Sequence, residues 1–409
     1  MRPNELLWKR EIGQKFSVTH WQESTVTQVP RTLKESPVDI TGSDKVFSSY
    51  WLNDVDILFG TKDQKLRVYN VNHAKIFDIQ LPSYSPISNT LKDNVIYSRD
   101  SYRAQNFCRD NNHLPKNLTA PLAGIRAISA NPAGTLIAVA SGNPYYIYIL
   151  DLPSLSSNTI LQGHTDAIFS VDWIDNETVI SGSRDGTMKC WKLDGHKLQT
   201  VQEDNTRRPI GILEPTWSTT EIDSQRIRDL IYLDRKAVTL SSNGFLDIWD
   251  MEEQTAVNSF GLPFPLEAVC MAGNMQNATV AIGSQAHVAI MDARSGSSVH
   301  TFQSVNDYTG VRSLDYCDYI ITSGGGMGHI GWYDLRAQRY LKIDGQDFRS
   351  ASAGWFAVEN DLQNSSGGWH GNPTKAIYTL KYNHQRTKLF AAGGPLEANI
   401  KGASAGVWM

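Results

Sequence analysis

Four cysteines in 409 residues, Cys108, Cys190, Cys270 and Cys317, are too few and too scattered for a disulfide framework. None stands in a CxxC or Cys/His spacing, which excludes a zinc ribbon or redox pair and leaves them as buried small hydrophobes. The ten histidines form no HxxxH or HExxH pair, so no metal or other cofactor is expected. No run of about 18 apolar residues occurs, and Lys9, Arg10 and Glu11 interrupt the apolar residues near the N-terminus. Neither a membrane span nor a signal peptide is therefore expected, which places the chain in the cytoplasm and nucleus and makes the sequons at Asn117 and Asn176 accidental. Excess charge of one sign is also missing. Lys plus Arg is 38 against 42 Asp plus Glu, a net charge of −4, which excludes a polycation built to coat nucleic acid or anionic lipid. Any basic site must be local.

What is present is a globular composition, 41% hydrophobic and 20% charged, organised by a repeat. The length would ordinarily suggest two or three domains unless one large all-β architecture absorbs it. Each repeat unit reads as an alternating segment, a turn, a small-residue strand ending in a Gly/Ser/Asp cluster, and a strand ending near an aromatic and an acid. Residues 168–193 show it most plainly: IFSVDWI alternates, VISGSRDGT gives a strand and a glycine turn, and MKCWKL gives a third strand. The anchors that close each unit are Tyr69, Leu150, Trp191, Trp249, Met291, Tyr333 and Trp408. Leu150 to Trp191 is 41 residues, and Trp249 to Met291 and Met291 to Tyr333 are 42 each, the period of a WD-repeat blade. Seven such units predict an all-β fold, a seven-bladed WD-repeat β-propeller over 37–409, with a short N-terminal helical arm over 1–36 lying outside it. The seventh unit lacks an outer strand, and PVDITG at 37–42 is the expected closing strand. Long insertions near 80–120, 197–222 and 341–373, rich in Ser, Asn, Gly and Gln, are expected as exposed loops.

Three constellations carry chemistry. Gly163, His164, Ser181, Asp185 and Trp191 occupy the places where WD repeats set a buried hydrogen-bond chain. Ser, His and Asp invite a catalytic reading, but a locked blade explains them better. Asp292/Arg294 and Asp334/Arg336 repeat at one point of adjacent blades and should project from one face as a docking surface. The most informative set is basic. Arg126, Arg228 and Arg312 fall at one position of the first strand, Lys45 and Arg226 precede that position by two residues, and Lys62 and Arg184 lie in the turn after the second strand. All seven should converge on the top of the channel, where cations in low-dielectric walls focus an anion. The competing expectation is pairing with Asp63, Asp185 or Asp229. The abundant aromatics are assigned to core positions, because the repeat phase does not interleave them with the basic groups as a single-strand nucleic-acid platform would.

The blocks KVFSSYWLN (45–53), VISGSRDGTM (179–188), GSQAHVAIMDAR (283–294), YDLRAQRYL (333–341), TKLFAAGGP (387–395) and the terminal AGVW resemble the twelfth family of DDB- and cullin-4-associated factors. These are WD-repeat substrate receptors of cullin-4 RING ubiquitin ligases. In the arm, LLWKRE, with Leu6, Leu7 and Trp8, and VPRTLKES resemble the family's adaptor-binding segment. The resemblance implies docking on the damaged-DNA-binding adaptor through the arm and the face bearing Asp292, Arg294, Asp334 and Arg336, with cullin 4 and the RING subunit held indirectly. It further implies capture of substrates with acidic, Glu-Glu type C-termini by Lys45, Lys62, Arg184, Arg226, Arg228 and Arg312; Arg126 stands where the family has histidine. No catalytic set is expected. A nucleic-acid or phospho-ligand binder using the same basic mouth, or a scaffold without ligase association, are the rival readings.

Overall fold

A computed structural model describes residues 28–82, 124–193, 200–203, 209–219, 225–306, 308–352, 354–358, 374–397 and 400–409. Seven sheets, each built on an antiparallel blade, stand radially around one axis. Their inner strands are Val46–Trp51, Ala127–Ala130, Ile168–Trp173, Ile227–Leu233, Cys270–Asn274, Val311–Cys317 and Lys375–Tyr382. Each touches the next, and the seventh touches the first, which closes a ring. The seven anchors predicted from the repeat sit in equivalent registers on the third strands, for example Trp191 opposite Val179, Met291 opposite Val280 and Trp408 opposite Leu389. The second strands, such as Ile320–Gly325 and Leu389–Pro395, are buried along their whole length because a neighbouring blade covers each face. Outer strands such as Thr255–Gly261 are almost wholly exposed.

The hydrophobic core is divided among the seams between blades. Seven clusters of buried residues each straddle one seam, from Leu58 and Ile125 between blades 1 and 2 to Phe390 and Val46 between blades 7 and 1. At each seam one second-strand residue faces the first inner residue of the next blade, and their volumes are matched. Gly60, Gly182, Gly283 and Gly324 face Ile125, Ile227, Val311 and Ile377; a Cβ on Gly182 would stand 2.5 Å from Ile227 Cγ2, and one on Gly283 2.7 Å from Val311 Cγ1. Ala140 and Ala392 share clusters with Ile168 and Val46. Where the second strand carries the large Leu240, the next blade answers with Ala268. Interdigitation of large with small residues gives interiors near-crystalline packing, and here it also fixes the blade-to-blade spacing.

The seventh blade is completed from the N-terminal side, but not by 37–42. The paired strand is Glu35–Pro37, opposite Trp408, Val407 and Gly406, extended by Lys34 N to Met409 O (2.9 Å) and Val38 N to Ala405 O (3.0 Å). Asp39 accepts from the Thr41 backbone N–H (3.0 Å) and hydroxyl (2.6 Å), and this turn ends the strand early. The alternation of Val38 and Ile40 reflects burial in the seam between blades 7 and 1 rather than strand pairing. Residues 28–32 are helical, and Leu33 is buried with Trp332, Ile320 and Trp408, so this end of the arm is part of the propeller and not outside it. Residues 1–27 of the expected helical arm lie outside the described residues.

The insertions are not simply loops. Thr200–Glu203 and Pro209–Leu213 form a hairpin that reaches back to blade 2 and pairs in parallel with Ser156–Leu161. Phe348–Ser350 and Trp355–Val358 lie against the third strands of blades 6 and 7 as extra outer pieces.

The matched seam predicts a compensating pair. Gly182→Ala should cost about 1–3 kcal/mol by overpacking and Ile227→Ala about 2–5 kcal/mol by leaving a cavity. Together they should be less destabilising than their sum by roughly 1 kcal/mol or more, measured by denaturant unfolding. Strict additivity would show that the two positions do not share a volume.

Candidate functional site at the channel mouth

On the inner strands of blades 1, 3, 4, 6 and 7 the ladder to the second strand skips one residue: Phe47, Phe169, Arg228, Arg312 and Tyr378. A bulge of this kind turns its extra residue out of the pleat. Arg126 and Val269, just before the inner strands of blades 2 and 5, hold the equivalent place. The seven residues ring a channel of about 430 Å³ in the order Phe47, Arg126, Phe169, Arg228, Val269, Arg312, Tyr378. Arg126 lies over Phe47 (4.1 Å) and Phe169 (5.2 Å), and Arg228 lies 5.6 Å from Phe169 on its other side. Phe47 meets Tyr378 edge-on at 5.4 Å.

The seven predicted cations act on one another. Burial and repulsion from Lys62 push the Lys45 ammonium down to about 8. Burial, with Arg184 and Arg228 nearby, pushes Arg126 down to about 10. Arg228 is lowered by burial and by Arg226, Arg184 and Arg312. Of the seven, Arg126, Arg228 and Arg312 line the channel, and Lys45, Lys62, Arg184 and Arg226 do not.

Counter-ions neutralise some of this charge, but not the acids expected. Arg184 forks onto Asp166 (Nε 2.7 Å, Nη2 2.6 Å), Arg312 binds Glu267 (2.6 Å), and Lys62 lies 3.5 Å from Asp44. The Lys45 ammonium donates to the Glu397 carbonyl (2.5 Å). Asp63 is taken by Thr61 and Lys65, and Asp185 by His164. Asp229 accepts from the backbone N–H groups of Met271 (2.7 Å) and Leu230 (2.8 Å), tying blade 4 to blade 5. Among the described residues Arg226 and Arg228 form no ion pair. Below the ring, Asp172 and Asp229 line the same channel; burial raises both carboxyls, Asp229 to about 7.

The sequence assigns the aromatics in general to the core, yet Phe47, Phe169 and Tyr378 interleave with the arginines. The signal was available: KVFSS, AIFSV and AIYTL place an aromatic where GIRAI, RIRDL and GVRSL place arginine. The counter-ions Asp166 and Glu267 were missed because the turns that carry them precede the strands at variable offsets.

The remaining constellations do not line the channel. His164 shares Nδ1 with Asp185 (2.7 Å) and Nε2 with the Ser181 hydroxyl (2.7 Å), while the Trp191 indole N–H goes to the Gln162 carbonyl (3.4 Å) and not to this chain. Burial lowers His164 despite Asp185, so the neutral ring donates from Nδ1 and accepts from Ser181. Such a buried, fully bonded set locks the blade. On the opposite face, a cavity of about 510 Å³ between blades 5 and 6 is lined by Asp292, His300, Tyr319 and Arg336. Asp292 caps the turn and pairs with the exposed Arg294 (3.3 Å); Asp334 accepts from the Arg336 N–H (2.9 Å), and the Arg336 guanidinium lies 3.3 Å over Tyr319. Leu6, Leu7 and Trp8 lie outside the described residues.

Together the ring of blades, the repeat anchors and the axial channel define a seven-bladed WD-repeat β-propeller. Residues 104–409 match the family model of the DDB1- and CUL4-associated factor 12 beta propeller, and the chain belongs to that family. It is also similar to the ribosome biogenesis protein YTM1 of Vanderwaltozyma polyspora, 24% identical over 220 residues that make up 46% of this chain and 47% of the relative. A probable cytosolic iron-sulfur protein assembly protein 1 of Yarrowia lipolytica is 30% identical over 93 residues, 23% of this chain and 24% of the relative. The ribosome biogenesis protein WDR12 homolog of Drosophila mojavensis is 42% identical over 45 residues, 11% of each chain. The chain thus spans about half or less of these curated relatives' length.

Asp229 gives a pH prediction with a definite sign. Its folded-state value, about 7, lies above the ordinary 3.8, so ionisation opposes folding. Stability conferred by the neutral form is full below about pH 4 and is lost as pH rises towards 7. Asp229→Asn should therefore gain on the parent between pH 4 and 8 by about 4 kcal/mol, read from unfolding midpoints. A pH-independent difference would place the titration elsewhere.

Proposed function

We propose that the chain is the non-catalytic substrate-recognition subunit of a cullin-4 RING ubiquitin ligase, working in the cytoplasm and nucleus. In this reading it docks on the damaged-DNA-binding adaptor and captures substrates that end in acidic residues of the Glu-Glu type. The observation that carries this reading is the pair Arg226 and Arg228, without an ion pair among the described residues at the centre of a cation field in a protein of net charge −4. A peptide ending in two glutamates offers three carboxylates, each able to accept charge-assisted hydrogen bonds worth about 1.5–3 kcal/mol. Holding the substrate on one face and the ligase on the other raises the effective concentration of target lysines near the transferred ubiquitin, and the propeller needs no bond chemistry of its own. Membership of the family supports the substrate-receptor role, and the groove holding Asp292 and Arg336 supports the opposite face as the adaptor side, with the arm and its Leu6, Leu7 and Trp8.

One observation favours a second reading. The arginines are interleaved with Phe47, Phe169 and Tyr378, the composition of a stacking platform for single-stranded nucleic acid, and two relatives carry ribosome biogenesis in their names. Ligand choice separates the two. A reader of acidic termini loses its peptide when the terminal carboxyl is amidated; a nucleic-acid binder shows a log-log salt slope tracking several phosphates.

Arg184→Ala/Arg228→Ala should weaken a Glu-Glu-ending peptide by at least about tenfold in fluorescence anisotropy. Equal affinity of parent and variant would remove the mouth from peptide recognition.

Removal of residues 1–36 should abolish recovery of the adaptor in affinity purification from cell extract. Because the deletion also takes Leu33 and the first two residues of the closing strand, Glu35 and Ser36, a second truncation at residue 27 keeps that strand and isolates the arm. Undiminished recovery with that second variant would take the arm out of the docking role.

A further inference from the structure

The Arg312 side of the mouth differs from the rest of the ring. Three large apolar side chains stand in solvent around it: Leu266 (69% exposed), Tyr308 (81%) and Met327 (45%). Single exposed hydrophobics are ordinary, but these belong to one bonded rim. Leu266 precedes Glu267, whose carboxylate holds Arg312, and the Leu266 carbonyl accepts from Gln285 N–H (2.9 Å). The Thr309 carbonyl, next to Tyr308, accepts from Arg312 Nη2 (3.0 Å). Gly326 N–H donates to the Gly310 carbonyl (2.9 Å) and so seats the turn that carries Met327 beside the same loop. Glu267 (φ 54°) and Tyr308 (φ 64°), neither of them glycine, both adopt the left-handed conformation. The same conformation recurs in turns such as Asp234 and Asp318, so it is the exposure of the side chains that distinguishes the rim.

We infer that this rim selects the residues just upstream of the acidic terminus, favouring an apolar or aromatic side chain three to five positions from the end of the bound peptide. The inference rests on the reading of the mouth as a receptor for acidic C-termini. Continuity fixes the occupant: a carboxylate that reaches Arg312 leaves the preceding residues, at roughly 3.3 Å each when extended, over Leu266, Tyr308 and Met327. Glu267 lies between rim and ring, so an upstream acid there would face repulsion while a leucine would cover apolar surface.

The test uses decapeptides ending in Glu-Glu with Leu or Ser at the fourth position from the end, each as free acid and as amide, against the full chain. The parent should bind the Leu peptide about tenfold more tightly than the Ser peptide. The triple substitution Leu266→Ser/Tyr308→Ser/Met327→Ser should abolish that ratio and keep the acid-over-amide preference. Phe77→Ser, an equally exposed site on the outer strand Lys75–Ile79, should change neither, and unchanged melting midpoints establish that all variants are folded. Equal binding of Leu and Ser peptides by the parent, or a Leu preference surviving in the triple variant, would overturn the rim while leaving the mouth reading intact. Indifference of the parent to amidation would instead overturn the mouth reading and the rim with it.

Discussion

The fit between neighbouring sheets is the constraint on which everything else depends. A single blade of this chain has two apolar faces and cannot bury either alone, so each seam must be filled from both sides. The seams are filled by complementary volumes: glycine against isoleucine or valine four times, alanine against Ile168 and Val46, and Leu240 against Ala268. Since the ring must close, an error at one seam is carried to the others. Closure itself relies on Glu35–Pro37, which joins the start of the described chain to its last strand, and on Leu33 beneath it. Polar links reinforce the seams: Trp51 Nε1 to the Lys381 carbonyl (2.9 Å), Trp173 Nε1 to the Ser129 carbonyl (3.0 Å), and Asp172 accepting from Tyr232 N–H (2.7 Å).

A rigid ring makes possible a charge arrangement that a flexible surface would relax. Arg126, Arg228 and Arg312 line one channel, and the depressed values of Lys45, Arg126 and Arg228 record burial together with repulsion from neighbouring cations. Three features offset it. The aromatic faces of Phe47 and Phe169 attract guanidinium, each such contact worth about 0.5–2 kcal/mol. Asp166, Glu267 and Asp44 screen the outer members. The carboxyls of Asp172 and Asp229 supply opposing charge from inside the channel when ionised. Bulges on five of the seven inner strands aim the ring residues inward, so the field is a product of strand geometry as much as of composition.

Much of this was legible in the sequence, for physical reasons. The period of 41 or 42 residues follows from a fixed four-strand blade, so anchors from Tyr69 to Trp408 could be placed on third strands at one register. The convergence of Arg126, Arg228 and Arg312 followed from the same phase. What was not legible depended on non-local contacts. The alternation at 37–42 has the period of a strand, but Asp39 forms a turn there and the pairing falls earlier. The hairpin from 200–213 returns to blade 2, which nothing in its local pattern encodes. Asp166 becomes a partner of Arg184 only when two turns of blade 3 fold together, and Glu267 of Arg312 only when blades 5 and 6 meet. Phe47, Phe169 and Tyr378 were readable by aligning all seven units, but hydrophobicity alone drew them towards the core.

The division between paired and unpaired arginines bears on selectivity in the proposed role. Arg184 and Arg312 already hold carboxylates, so an incoming carboxylate exchanges like for like and gains little from either alone. A neutral or hydroxyl-bearing peptide end cannot make the exchange, because it would release a charged partner and return a weaker bond. Arg226 and Arg228 have no such occupant among the described residues, and a ligand that reaches them first gains net attraction. The arrangement therefore separates two quantities. The central pair sets how strongly any anion is drawn in, and the flanking pairs set how many carboxylates, at what separation, are needed to settle there. A single acid satisfies only the first requirement. Several acids clustered at a chain end meet both, and the rigidity imposed by the seams keeps the distances between the two sets fixed.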